Sequence, residues 1–107
     1  MSELVVSDGE IERITSIAGS LEIVFKDWKE DRWLILIDEL IAFESVGAEG
    51  ETLGEIVVEE ENEFKSRVFK MLPDESAVNS KVFIFKSAWS GLSILQAIGV
   101  SLEARII

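Results

Sequence analysis

Apolar and polar side chains alternate with a two-residue period along much of this chain, on β-branched and aromatic residues, and that pattern leaves few folds other than β. Leu21-Glu-Ile-Val-Phe-Lys-Asp-Trp28 puts Leu21, Ile23 and Phe25 on one face and Glu22, Val24, Lys26 and Trp28 on the other. The polar cluster Lys29-Glu-Asp-Arg32 then makes a four-residue turn, and Trp33-Leu-Ile-Leu-Ile-Asp-Glu-Leu40 runs back as the partner strand. With Trp28 and Trp33 flanking that turn, Phe25 pairs with Leu36, Val24 with Ile37 and Leu21 with Leu40, apolar against apolar throughout. Ile23 opposite Asp38 is the weak point of this register. A bulge near Asp38-Glu39 repairs it and releases Leu40 to Val46 as a bent or separate strand.

Further along, Gly47-Ala-Glu-Gly-Glu-Thr-Leu-Gly54 reads as a flexible loop, Glu55 to Glu59 as a short strand, and Glu60 to Glu63 as a charged turn. Phe64, Val68, Phe69 and Leu72 have the spacing of an amphipathic helix on a short segment. Pro73 opens a turn or helical turn running to Val78. Lys81 to Lys86 is a clear strand, broken by Ser87 to Gly91. Leu92 to Ile98 reads as its partner, because Gly91 and Gly99 leave no room for a long helix. Leu102, Ala104 and Ile106 alternate with Glu103 and Arg105 in a final strand. The expected fold is mainly β, an antiparallel sheet or sandwich or a partly open barrel, with at most one short helix. The 107 residues fit a single domain spanning 1–107 that buries roughly 60–65% of its unfolded surface.

Missing residue types remove whole classes of chemistry. There is no His and no Cys, hence no imidazole base, no thiolate nucleophile, no zinc site of the usual ligands and no disulfide. Neither Ser-x-x-Lys nor Gly-x-Ser-x-Gly occurs. No cofactor and no metal is expected, and the chain reads as a non-enzyme. Nothing resembles a secretory leader or an 18-residue apolar span, so a cytoplasmic address without membrane contact is the expectation.

Charge narrows the partners. Ten Lys and Arg against 21 Asp and Glu leave −11, which repels nucleic acid and anionic lipid. Residues 1–63 hold 18 acids and four bases, or −14, whereas 64–107 hold six bases and three acids, or +3. An acidic surface keeps small proteins soluble without any partner, but this one is concentrated enough to steer a basic protein.

Two groups of residues are candidates for that contact, and a third has the residue types of a catalytic pair. Trp28 and Trp33, ringed by Glu30, Asp31 and Glu39, would anchor an interface if their side of the hairpin is exposed; as a buried cross-strand pair they would instead stabilise the sheet. Glu59, Glu60 and Glu61 form the densest acidic run. Successive glutamates on an extended chain point to opposite sides and lack calcium-loop spacing, so this run is a solvated turn or a patch for a cationic partner. The acid pairs Asp38-Glu39 and Asp27…Asp31 have the residue types of a glycosidase, yet each has a simpler role at a strand end or turn.

The succession Leu21-Glu-Ile-Val-Phe-Lys-Asp-Trp28, Leu36-Ile-Asp-Glu-Leu-Ile-Ala-Phe-Glu-Ser45, and Lys81-Val-Phe-Ile-Phe-Lys-Ser-Ala-Trp89 leading into Leu92-Ser-Ile-Leu-Gln-Ala97 resembles small acidic β-rich bacterial proteins. Some of those families are immunity proteins of toxin systems. The likeness lies in strand spacing and has no diagnostic residue, so it carries over no site. The functional expectation is a non-enzymatic protein-binding module that engages a basic partner. A self-associating structural subunit, with the apolar stretches at Trp33 to Ile37 and Ala104 to Ile107 as edges in need of cover, and a small-ligand binder are the alternatives.

Overall fold

The computed structural model describes residues 4–75 and 79–107. Within them the chain runs β1 (Glu10–Ile17), β2 (Ser20–Lys26), β3 (Arg32–Asp38), β4 (Ala42–Ser45), β5 (Leu53–Glu59), α1 (Glu63–Met71), β6 (Lys81–Ser87), β7 (Ser93–Gly99) and β8 (Ser101–Ile106). Two antiparallel four-stranded sheets result, ordered β1-β2-β3-β8 and β4-β7-β6-β5, and they do not close into a barrel. The expected mainly β architecture with one short helix is what forms. Pro73 begins a turn, while Ser76 to Val78 of that segment and residues 1–3 lie outside the described residues.

The β2–β3 hairpin forms in a different register from the one expected. Leu21 pairs with Ile37, Ile23 with Ile35 and Phe25 with Trp33, and all six are buried. Asp27 closes the turn in place of a tryptophan pair. Its Oδ1 accepts from the backbone N–H of Lys29 and of Asp31, each at 2.9 Å. Its own N–H donates to the Asp31 carbonyl at 2.9 Å, and Glu30 takes a left-handed φ of 70°. An aspartate that imitates a backbone turn in this way ends β2 at Lys26 and leaves Trp28 in the turn itself. The shift relative to the expected pairs is odd, so β3 turns Trp33, Ile35 and Ile37 inward and leaves Leu34 and Leu36 half-buried outside. Asp38, awkward opposite Ile23, sits opposite Ser20.

Strand β1 escapes the alternation rule for a local reason. A bulge between Ile11 and Arg13 lets Ile11 and Ile14, three apart, both face the core side, opposite Phe25 and Ile23.

The inner faces of the two sheets make the main core, with Phe25, Trp33 and Ile35 set against Phe83, Phe85 and Leu95. Strand β6 is apolar at four successive positions, Val82 to Phe85, because both its faces are covered. Phe83 and Phe85 point into the sandwich, while Val82 and Ile84 pack beneath Phe64 and Val68 of α1. Asn62 caps that helix, its Oδ1 accepting from the Lys65 N–H at 2.9 Å.

At one corner the chain changes sheets twice. Glu39, with φ 51°, turns β3 toward β4, and Ile41 N–H donates to the Ile98 carbonyl at 2.8 Å. Alongside, β7 passes into β8 at Gly99, where a Cβ would stand 2.7 Å from both the Asp38 carbonyl oxygen and Ile37 Cγ2. At the opposite corner Glu10 bridges to Thr52, so β5 leaves from the β1 edge and runs to the β8 side. No helix among the described residues is long and apolar enough to cross a membrane.

Candidate functional site

The residues singled out from sequence fall in three separate places. Trp28, Glu30, Asp31 and Trp33 belong to the β2–β3 turn or its edge, and Glu39 sits at the far end of β3, at the sheet-changing corner. Glu59 ends β5, and Glu60 and Glu61 form the connection to α1. They do not assemble into one acidic patch.

Of the two tryptophans, Trp28 is 60% exposed and Trp33 only 4%. Trp33 therefore works inside the turn and not as a surface anchor. Its Nε1–H donates to Asp27 Oδ2 at 2.9 Å. That bond and, opposing burial, the N–H groups of Asp31 and Lys29 hold the Asp27 carboxyl below its ordinary range. One face of Trp28 is already met by Lys29, whose Nζ lies 5.6 Å from the ring centroid. Trp28, Asp31 and Trp33 line a shallow hollow of 260 Å³ together with Val5 and Ile106.

The acidic run is tied down by a residue that sequence reading passed over. Lys65 is 3% exposed, and its Nζ donates to the carbonyls of Glu60 at 2.7 Å and Ser80 at 2.9 Å. The Glu61 carboxylate lies 3.5 Å away. Glu61 thus has an intramolecular partner, while Glu59 and Glu60 present exposed carboxylates. Among the described residues no group of three acids is arranged to hold a metal ion.

A larger concavity among the described residues lies elsewhere. The first sheet ends at β8 and the second at β5, and side chains of these two edges, mostly from their inner faces, border a cleft of 780 Å³. Leu102 and Ala104 stand on one wall, Ile56 and Val58 on the other, with Phe83 at the floor. Leu4 and Val6 of the arm preceding β1 complete the lining. The arm's root is fixed by the Asp8 N–H, which donates to the Leu53 carbonyl at 3.0 Å. Gly9 makes the close approach possible, since a Cβ there would fall 2.1 Å from Phe25 Cζ.

Among the described residues seven of the eight lining side chains are apolar and the eighth is Glu103. A cleft of this size with a single polar group is suited to holding an apolar ligand. Among the described residues that line it there is no nucleophile–base pair. The alternation of Leu102 and Ala104 with Glu103 and Arg105 marks the inward face of β8, whereas Ile56 to Val58 and Val82 to Phe85 are unbroken apolar runs that do not tell one face from the other. Neither pattern carries a sign that two of those strands become edges facing one another across a gap.

Comparison with known proteins yields no matching family model, no matching curated protein and no matching solved structure.

Proposed function

We propose that this chain is a non-catalytic binding module whose site is the apolar cleft between β8 and β5. The observation that carries the reading is a 780 Å³ opening lined by seven apolar side chains, placed where two sheet edges fail to meet. Apolar clefts of roughly 300–1,000 Å³ are the usual form of small-ligand sites. A cytoplasmic setting belongs to the same proposal and is supported by a sequence without Cys.

The test is titration with a neutral polarity-sensitive naphthalene dye, neutral so that the net charge of −11 does not repel it. The expected result is saturable one-to-one binding with a blue-shifted emission. Val58→Asp, which places a carboxylate on the wall, weakens it by about tenfold or more. Trp28→Ala leaves it unchanged. Unsaturable binding, or equal binding by the Val58 variant, would remove the cleft as the site.

A basic protein partner is a second reading, favoured by one observation. Trp28 is 60% exposed in a turn that also carries the exposed acids Glu30 and Asp31. An aromatic side chain with adjacent acids is suited to a partner offering Lys or Arg, which is how an immunity-type protein would meet a cationic target. It predicts that Trp28→Ala and Glu30→Lys slow association with such a partner, and that Glu59→Lys, on the other sheet, does not.

A further inference from the structure

Strand β8 ends the first sheet, and its backbone polarity can be read from one bond. The Ile107 N–H donates to the Arg32 carbonyl at 3.1 Å, one step beyond the pair Trp33 with Ile106. In an antiparallel ladder consecutive residues direct their backbone groups to opposite sides. Arg105 and Glu103 therefore bond toward β3. Ile106, Ala104 and Leu102 aim their N–H and C=O groups away from β3, at an edge that no strand covers among the described residues. Bare edges of this kind pair with another strand unless something prevents it.

The side chains specify which strand. Glu103 and Arg105 are exposed and lie two residues apart on the face away from the core. Among the described residues neither forms an ion pair. One acid and one base on either side of a small residue form a self-complementary set. We infer that β8 pairs antiparallel with the β8 strand of a second copy, about a two-fold axis through Ala104.

In this register Ala104 meets the partner's Ala104, Glu103 meets the partner's Arg105, and Leu102 meets the partner's Ile106. Symmetry repeats the last two pairs. The outward backbone groups of Leu102, Ala104 and Ile106 are then bonded, and the two four-stranded sheets become one of eight. Moving the axis to Glu103 or to Arg105 would set like charges face to face, so the charges choose the register. Directly opposite residues share a face of the sheet. The partner's Ile106 therefore joins Leu102 on the cleft side and extends its apolar wall, and Ile106, 53% exposed in one copy, gains cover. The pairing stands on the edge geometry and charges whether or not the cleft holds a ligand.

The experiment is sedimentation equilibrium from low micromolar to near-millimolar protein, at about 0.15 M salt, where a Debye length of about 8 Å screens the repulsion between two acidic copies. The wild type is expected to dimerise. Glu103→Arg and Arg105→Glu each weaken the dimer by about tenfold, because symmetry places each change in two pairs. The Glu103→Arg/Arg105→Glu double variant returns to near wild-type association. Ala104→Pro deletes the N–H at the axis at an edge position that tolerates proline, and is expected to be a folded monomer by circular dichroism at every concentration. A monomeric wild type over the whole range would overturn the inference. So would single variants that dimerise like wild type, a double variant as weak as the singles, or a folded Ala104→Pro dimer.

Discussion

Replacing Lys65 with methionine measures how the acidic connection to α1 is held. The ammonium is 3% exposed and donates to two carbonyls, those of Glu60 at 2.7 Å and Ser80 at 2.9 Å. Methionine keeps most of the stem and removes the charged donor, together with the approach of its Nζ to the Phe69 ring at 6.0 Å from the centroid. Two charge-assisted hydrogen bonds at about 1.5–3 kcal/mol each give a gross loss of about 3–6 kcal/mol. Part of that is offset because a buried ammonium carries a desolvation cost of its own. The net expectation is destabilisation by about 2 kcal/mol, or roughly 8–12 °C in Tm for a domain of this size. Glu61→Gln is the internal control. Its carboxylate is 71% exposed and 3.5 Å from the ammonium, so its loss costs about 0.5 kcal/mol or less. Urea denaturation with an unchanged m-value measures both, and amide hydrogen exchange near Lys81 reports whether the loosening is local. A Lys65→Met variant as stable as wild type would refute the reasoning. A Glu61→Gln variant as unstable as Lys65→Met would show that the carboxylate, not the carbonyls, holds the ammonium.

Three further outcomes are expected. Ile35→Ala, at a fully buried inward position, costs about 3–4 kcal/mol, whereas Leu36→Ala, half-buried on the outer face, costs about 1 kcal/mol; the reverse order in urea melts would contradict the observed β3 register. Gly99→Ala forces a methyl within 2.7 Å of the Asp38 carbonyl and costs about 2–3 kcal/mol by thermal melt; wild-type stability would mean the two crossings do not touch. The Trp33 indole, then the N–H groups of Asp31 and Lys29, hold Asp27 below its ordinary pKa, so its contribution is full above the unfolded carboxylate value and fades as pH falls through the folded one. Asp27→Asn should therefore flatten the acid side of the stability–pH curve followed by tryptophan fluorescence, and parallel curves for the two proteins would count against that bond.

Strand positions were legible from alternation in β2 and β8 and from apolar runs of strand length in β3 and β6. The helix over Glu63–Met71 was visible in the spacing of Phe64, Val68 and Phe69. Register was not, because the alternation in β2 and β3 is compatible with more than one turn, and the choice rests on a side-chain-to-backbone bond made by Asp27. β1 was hidden by its bulge, which replaces a period of two with a gap of three between Ile11 and Ile14. Candidate sites fared differently for a similar reason. Charge counts place 18 acids in the first 63 residues, but strand order decides which of them become neighbours. The paired sheet edges that open the cleft follow from that order alone.

The double crossing at Gly99 also sets the order in which the molecule can be assembled. Strand β3 gains its second neighbour only from β8, with Trp33 opposite Ile106, so the first sheet waits on residues synthesised more than a strand-and-helix repertoire later. Pairings between such distant segments make β-rich chains slow to fold, commonly on millisecond-to-second timescales. Until residues 101–106 have emerged, the inner edge of β3 is a bare apolar strand in reach of other nascent chains. The β2–β3 hairpin, by contrast, is a local pairing closed by Asp27, and it needs no later residue to cover one side of β3.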